Sequence, residues 1–181
     1  FIWSTDTFFS GLSLFPELDP FKTIIKNIDY VDISTLVDPV PNHSRLLQYD
    51  LIPKDKFFLY KTGGVNPFRP ELGNIFPYLK NEESKKLVSI NISKSYVRAG
   101  VNVIVDGKYR CVDIKLHRVA ALAFIVNDNP EKKVSVDHIN SDRLDYSLKN
   151  LRWVTNSENN TGLSRPRNEC WELTMIKKGK I

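Results

Sequence analysis

Residues 136–160 read VDHINSDRLDYSLKNLRWVTNSENN, and this stretch organises everything around it. A short apolar piece at 134–136 runs into Asp137-His138, a polar loop follows from Asn140 to Lys149, and LRWV at 151–154 is apolar enough to return as a strand. Thr155 stands three residues before Glu158, the spacing at which a hydroxyl and a carboxylate satisfy the orphan amides of a helix start, so a helix is expected from Asn156. The order is strand, loop, strand, helix. Polar residues collect at the end of the first strand and in the first turn of the helix.

That order has chemical consequences. Asp137 and His138 point to opposite sides unless the strand ends at them, and Asn159 falls in the first turn of the following helix. A hairpin packed on that helix brings Asp137 and Asn159 together. One carboxylate and one amide carbonyl make a hard, oxygen-only site suited to Mg²⁺, with positions left for water and phosphate. A neighbouring imidazole, titrating near neutrality, can take a proton from an attacking water. Asn150, in a turn, reads first as a residue that ties the loop to its own backbone.

Working upstream, VNVIV and KYRCVDIKL flank Asp106-Gly107, a pair suited to the positive φ angles of a two-residue turn, which predicts a β-hairpin over residues 101–115. Leu116, Val119, Ala120, Ala123 and Phe124 follow at helical spacing until Asn127-Asp-Asn-Pro130, a buried helix in which His117 is a packed or capping residue. Trp153 is expected to fill the core. Residues 51–95 are punctuated by Gly63-Gly64, Pro67, Pro70, Gly73 and Pro77, so loops and short strands are expected there. Residues 1–50 mix aromatics, prolines and acids, with one short helix expected at 21–28.

The stretch 136–160, with its DH pair, NLRWVT and SEN at offsets of 12 and 21 from His138, resembles the HNH endonuclease motif of the ββα-metal fold, in the version carried by phage and intron-encoded homing endonucleases. KLHRVAALAFI and NDNPEKKVSVDHIN are similar to the helix and linker that precede it in that family. Good resemblance covers residues 101–160, with a faint extension to Gly73-Asn-Ile-Phe-Pro. It implies an α+β fold: a small mixed domain with a ββα-metal catalytic core, preceded by a β-hairpin and a buried helix. It also implies His138 as general base, Asp137 and Asn159 as ligands of a catalytic Mg²⁺ or Mn²⁺, Asn150 as the residue that holds the loop and orients the imidazole, and hydrolysis of DNA, or of RNA, leaving a 5′ phosphate. Asn140-Ser141 and Asp145-Tyr146 depart from the family's usual Asp-Gly and Asn-Asn. These positions shape the loop more than the chemistry.

The implied organisation is an acidic segment at 1–50, an HNH-like domain at 51–164 with its core at 101–160, and a basic extension at 165–181. Charge supports the division: residues 1–50 carry 3 Lys/Arg against 7 Asp/Glu, and the remainder 23 against 14. A basic body attracts a polyanion, and Arg118, Arg143, Lys149, Arg152, Arg165 and Arg167 are the candidate phosphate contacts. A rival reading takes the fold as a structural, nucleic-acid-binding subunit of a large assembly, such as an organellar ribosome, docked through residues 1–50. The longest apolar run, residues 119–126, is far too short for a membrane-spanning helix, and Cys111 and Cys170 form no CxxC pair, which excludes a cysteine zinc finger and a disulfide framework. The three Asn-X-Ser/Thr patterns read as accidental in an Asn-rich chain. Phe1 in place of Met suggests a processed or partial product, and the Asn, Ile and Lys bias an AT-rich genome, whether of a phage, an organelle or a microbe.

Overall fold

The computed structural model describes residues 23–38 and 51–161. The architecture is α+β. Among the described residues nine strands form three antiparallel sheets, and the first has the order β1-β2-β3-β4, built from Tyr30–Asp32, Phe57–Gly64, Phe76–Asn81 and Lys86–Leu87. The second has the order β5-β6-β7, from Ile90–Ser93, Tyr96–Val105 and Lys108–Lys115; the third pairs β8, Ser135–His138, with β9, Leu151–Val154. Helix α1 spans Leu116–Phe124 and the short α2 spans Asn156–Thr161. No helix among the described residues is long and apolar enough to cross a membrane.

The expected hairpin is β6-β7, which begins five residues before 101, at Tyr96. Asp106 (φ 52°) and Gly107 (φ 72°) both take the left-handed conformation that a tight turn between twisted strands requires. Alternation along β6 buries Val97, Ala99, Val101 and Val103, which meet Ile114 and Val112 of β7 on the same face. Helix α1 lays Leu116, Val119, Ala120, Ala123 and Phe124 on that face, so the spacing seen in the sequence is the core-facing stripe. One hydrophobic cluster runs from Leu59 and Phe76 through α1 to Tyr146, Leu151 and Trp153. Both larger sheets and the β8-β9 ribbon therefore share a core.

Two expectations are corrected. Residues 57–81 are not mainly loop: β2 is eight residues long, and Gly63-Gly64 is a bulge inside it rather than a turn. Gly63 has φ 106°, while a Cβ on Gly64 would lie 2.8 Å from the Phe76 carbonyl oxygen and 2.7 Å from Tyr78 Cβ, so neither position accepts a side chain without rearrangement. The helix expected at 21–28 is absent from its described part, residues 23–28, where Ile25 bridges Ile125 and the Lys26 amide donates to the Phe124 carbonyl. Consecutive β-branched Thr23, Ile24 and Ile25 suit that extended pairing. Residues 23–38 are thus built into the body, with β1 completing the first sheet and Thr23 Oγ1 donating to the Leu151 carbonyl at 3.0 Å.

Candidate active site

The β8-β9 ribbon and α2 form the expected strand, loop, strand, helix unit. Glu158 N donates to Thr155 Oγ1 at 3.1 Å, and Thr155 N donates to Glu158 Oε2 at 2.7 Å, the reciprocal cap that starts α2 at Asn156. The loop between the strands is drawn inward by Asn150, which is buried. Its Nδ2 donates to Asn140 Oδ1 and to the Asp145 carbonyl, both at 2.8 Å, and its Oδ1 accepts from the Asn140 amide at 2.9 Å. Three contacts hold the far side of this loop: Asn66 Nδ2 to the Leu144 carbonyl at 2.7 Å, Arg69 to Asp142 at 2.5 Å, and the Phe76 ring 4.8 Å from the ring of Tyr146. Asp145 accepts from Ser147 and from Asn140 Nδ2.

Asp137 and His138 both belong to β8 and leave it on opposite faces. His138 lies on the α1 face, buried, with its ring centroid 5.0 Å from that of His117 and 6.1 Å from that of Tyr96. Its Nε2 is buried without a hydrogen-bond partner. Burial pushes the imidazole below its ordinary value, with Asp137, Asp145 and Asp142 pulling the other way. His117 is held well below the usual range, by burial first and then by His138, Lys115 and Arg118, and its Nδ1 is likewise buried and unpaired. Nothing in the spacing of residues 117 and 138 signals that the two imidazoles meet, beyond a His in the otherwise apolar stripe of α1.

Asp137 lies on the α2 face with Ser135, whose Oγ donates to Asn156 Oδ1 at 2.8 Å. Asn159 is one turn along α2 from Asn156, on the same side of the helix, and is exposed. One carboxylate and one amide oxygen, the donor types of Asp137 and Asn159, suit a hydrated Mg²⁺ rather than a closed zinc centre. Among the described residues no cluster of three or more His, Cys, Asp or Glu occurs that could enclose a metal. One oxygen of Asp137 is already engaged, because Oδ2 accepts from Arg152 Nε and Nη2 at 3.1 and 3.0 Å.

Two of the expected phosphate contacts are ion-paired within the fold. Arg152 faces Asp137 across the ribbon. Arg118 is pinned in a fork by Asp38 at 2.6 and 2.5 Å, donates to the Val134 carbonyl at 3.0 Å, and lies over the Trp153 ring. Each guanidinium is answered by a carboxylate that the sequence places too far away to associate with it. Arg143 and Lys149 are exposed, whereas Arg165 and Arg167 lie outside the described residues.

Residues 115–161 match the profile of the HNH endonuclease family. The match is confined to this segment. A relative from Acanthamoeba polyphaga mimivirus, described as an uncharacterized HNH endonuclease, is 33% identical over 112 residues, or 61% of this chain. The chain spans 27% of that protein's length. No solved structure matches the chain significantly. The matched segment begins at the last residue of β7 and contains α1, the ribbon and α2, so the helix that carries His117 lies inside it.

Proposed function

We propose that this chain is a metal-dependent HNH endonuclease of the homing type that hydrolyses phosphodiester bonds in DNA. The observation that carries the reading is His138, a buried imidazole that follows Asp137 in sequence at the end of the first strand of the segment matching HNH endonucleases, and is kept from protonating by its surroundings. A neutral imidazole at pH 7 is the form that accepts a proton from water. Asn150 fixes the loop that follows His138 and so fixes the backbone from which the ring projects. Asp137 and Asn159 would hold a divalent ion, whose charge would stabilise the oxygen that leaves the phosphorus. Arg152 keeps the Asp137 carboxylate in place on the α2 face.

The test is cleavage of supercoiled and linear DNA in Mg²⁺ or Mn²⁺, comparing the chain with His138→Ala and Asn159→Ala. Cleavage by the unaltered chain that falls at least about a hundredfold in His138→Ala supports a base at that position. Equal cleavage by all three proteins, or intact DNA throughout, overturns the reading.

A further inference from the structure

Most cations near the ribbon are already matched. Arg69 meets Asp142, Arg98 meets Asp113, Arg118 meets Asp38 and Arg152 meets Asp137. Lys115 and Arg143 are different. Lys115 Nζ lies 5.7 Å and Arg143 Cζ 5.2 Å from the ring centroid of Tyr96, and among the described residues neither has a carboxylate within ion-pair distance. They come from distant parts of the chain, the end of β7 and the loop after β8, and meet on one ring. That ring is stacked on His117 at 4.8 Å and lies 6.1 Å from His138.

The acids around this cluster are already bonded to other groups. Asp113 is bonded to Arg98, Asp142 to Arg69, Asp137 to Arg152, and Asp145 to Ser147 and Asn140. Lys115 is also partly buried, and burial, together with Arg98 and Arg118, lowers its pKa against the opposing pull of Asp113. A partly desolvated cation whose nearest carboxylate is shared with another guanidinium is costly, and a bound anion lowers the cost. The buried Nε of Arg98, whose register partner is Lys115, has no hydrogen-bond acceptor either.

We infer that Lys115 and Arg143, laid on the ring of Tyr96, form a clamp for a backbone phosphate of the nucleic-acid strand, next to His138. The inference rests on the nuclease reading and deepens it by naming where the strand is gripped. The ligand class is a phosphodiester, recognised by charge and not by base identity. The clamp holds the backbone beside the imidazole before any metal is bound.

Binding of a short mixed-sequence DNA duplex in EDTA, followed as a function of KCl, tests this without recourse to cleavage. Lys115→Gln and Arg143→Gln should each weaken binding about tenfold at low salt and reduce the slope of log K against log salt by about 0.9, one phosphate's share for B-DNA. The loss should be the same on duplexes of different sequence. Arg110→Gln, exposed on β7, should leave affinity and slope unchanged. Arg143 is exposed, so its variant should keep the unaltered melting temperature, which separates lost contact from lost fold. Unchanged affinity and slope in both variants, while the unaltered chain binds and cuts DNA, would overturn the clamp alone. A chain that neither binds nor cuts DNA would overturn both readings.

Discussion

Asn150 and Asn140 bond each other reciprocally across the mouth of the 139–150 loop: the side-chain amide of Asn150 donates to the side-chain oxygen of Asn140, and the backbone amide of Asn140 donates back to the side-chain oxygen of Asn150. With the third bond, to the Asp145 carbonyl, a single buried side chain closes the loop that links the two strands of the ribbon. Asn150→Ala removes all three and strands their partners. At about 1 kcal/mol for each hydrogen bond, the loss should be roughly 2–4 kcal/mol, read as a lower urea midpoint with an unchanged slope. Asn150→Asp should cost more at pH 7, because an oxygen would then face the two acceptors that now receive Nδ2.

The Asp137–Arg152 pair is mostly shielded, with side-chain exposures of 14% and 11%. Arg152→Met leaves the carboxylate without its forked donor, and breaking such a pair from one side is more costly than the pair is stabilising. We expect a loss of roughly 2–3 kcal/mol in denaturant unfolding, below the fully buried range because both groups keep some water. Asp137→Asn, which still offers Arg152 a carbonyl oxygen, should lose less. The reverse order would mean that the guanidinium is held chiefly by other groups.

At the tip of the β6-β7 hairpin, Gly107 has φ 72° and no atom within 4 Å of where a Cβ would stand. Only backbone strain opposes a side chain there. Gly107→Ala should destabilise by about 1 kcal/mol, whereas Asp106→Gly, at φ 52°, should be within about 0.5 kcal/mol of neutral. Thermal melts of both variants check the sign of each.

His117 is buried in its neutral form, so the unfolded chain binds a proton near pH 6.5 that the folded chain refuses. More protons bound in the unfolded state means that stability rises with pH. The stabilisation is fully present above pH 6.5 and declines as pH falls below it, with a slope approaching 1.4 kcal/mol per pH unit for this one group. His117→Gln should be less stable at pH 7 but show a shallower decline between pH 7 and pH 5. Parallel pH curves for the two proteins would contradict this.

What was legible in the sequence was what is local. The Asp106-Gly107 turn, the stripe on α1, the strand at 151–154 and the Thr155–Glu158 cap are each specified within a few residues, and all stand in the structure. The long β2 was hidden because its two glycines read as punctuation, and only the close approach of Phe76 and Tyr78 reveals why they are needed. Arg118 and Arg152 looked available because their partners, Asp38 80 positions away and Asp137 across a ladder, are fixed by the fold and not by spacing. The same blindness concealed the Tyr96, His117 and His138 cluster, whose rings come from three different elements. Motif spacing identified the polar side chains of the candidate site, but not which of their neighbours would already be neutralised.

The opposite orientation of Asp137 and His138 makes the phase of the ribbon self-checking. A slip of one residue between β8 and β9 would turn the carboxylate inward against the imidazole of His117 and swing His138 outward toward the guanidinium of Arg152, leaving one charge buried and the other unanswered. Insertions or deletions in the 139–150 connection are therefore tolerable only where the Asn140–Asn150 clasp survives to keep the two strands in step.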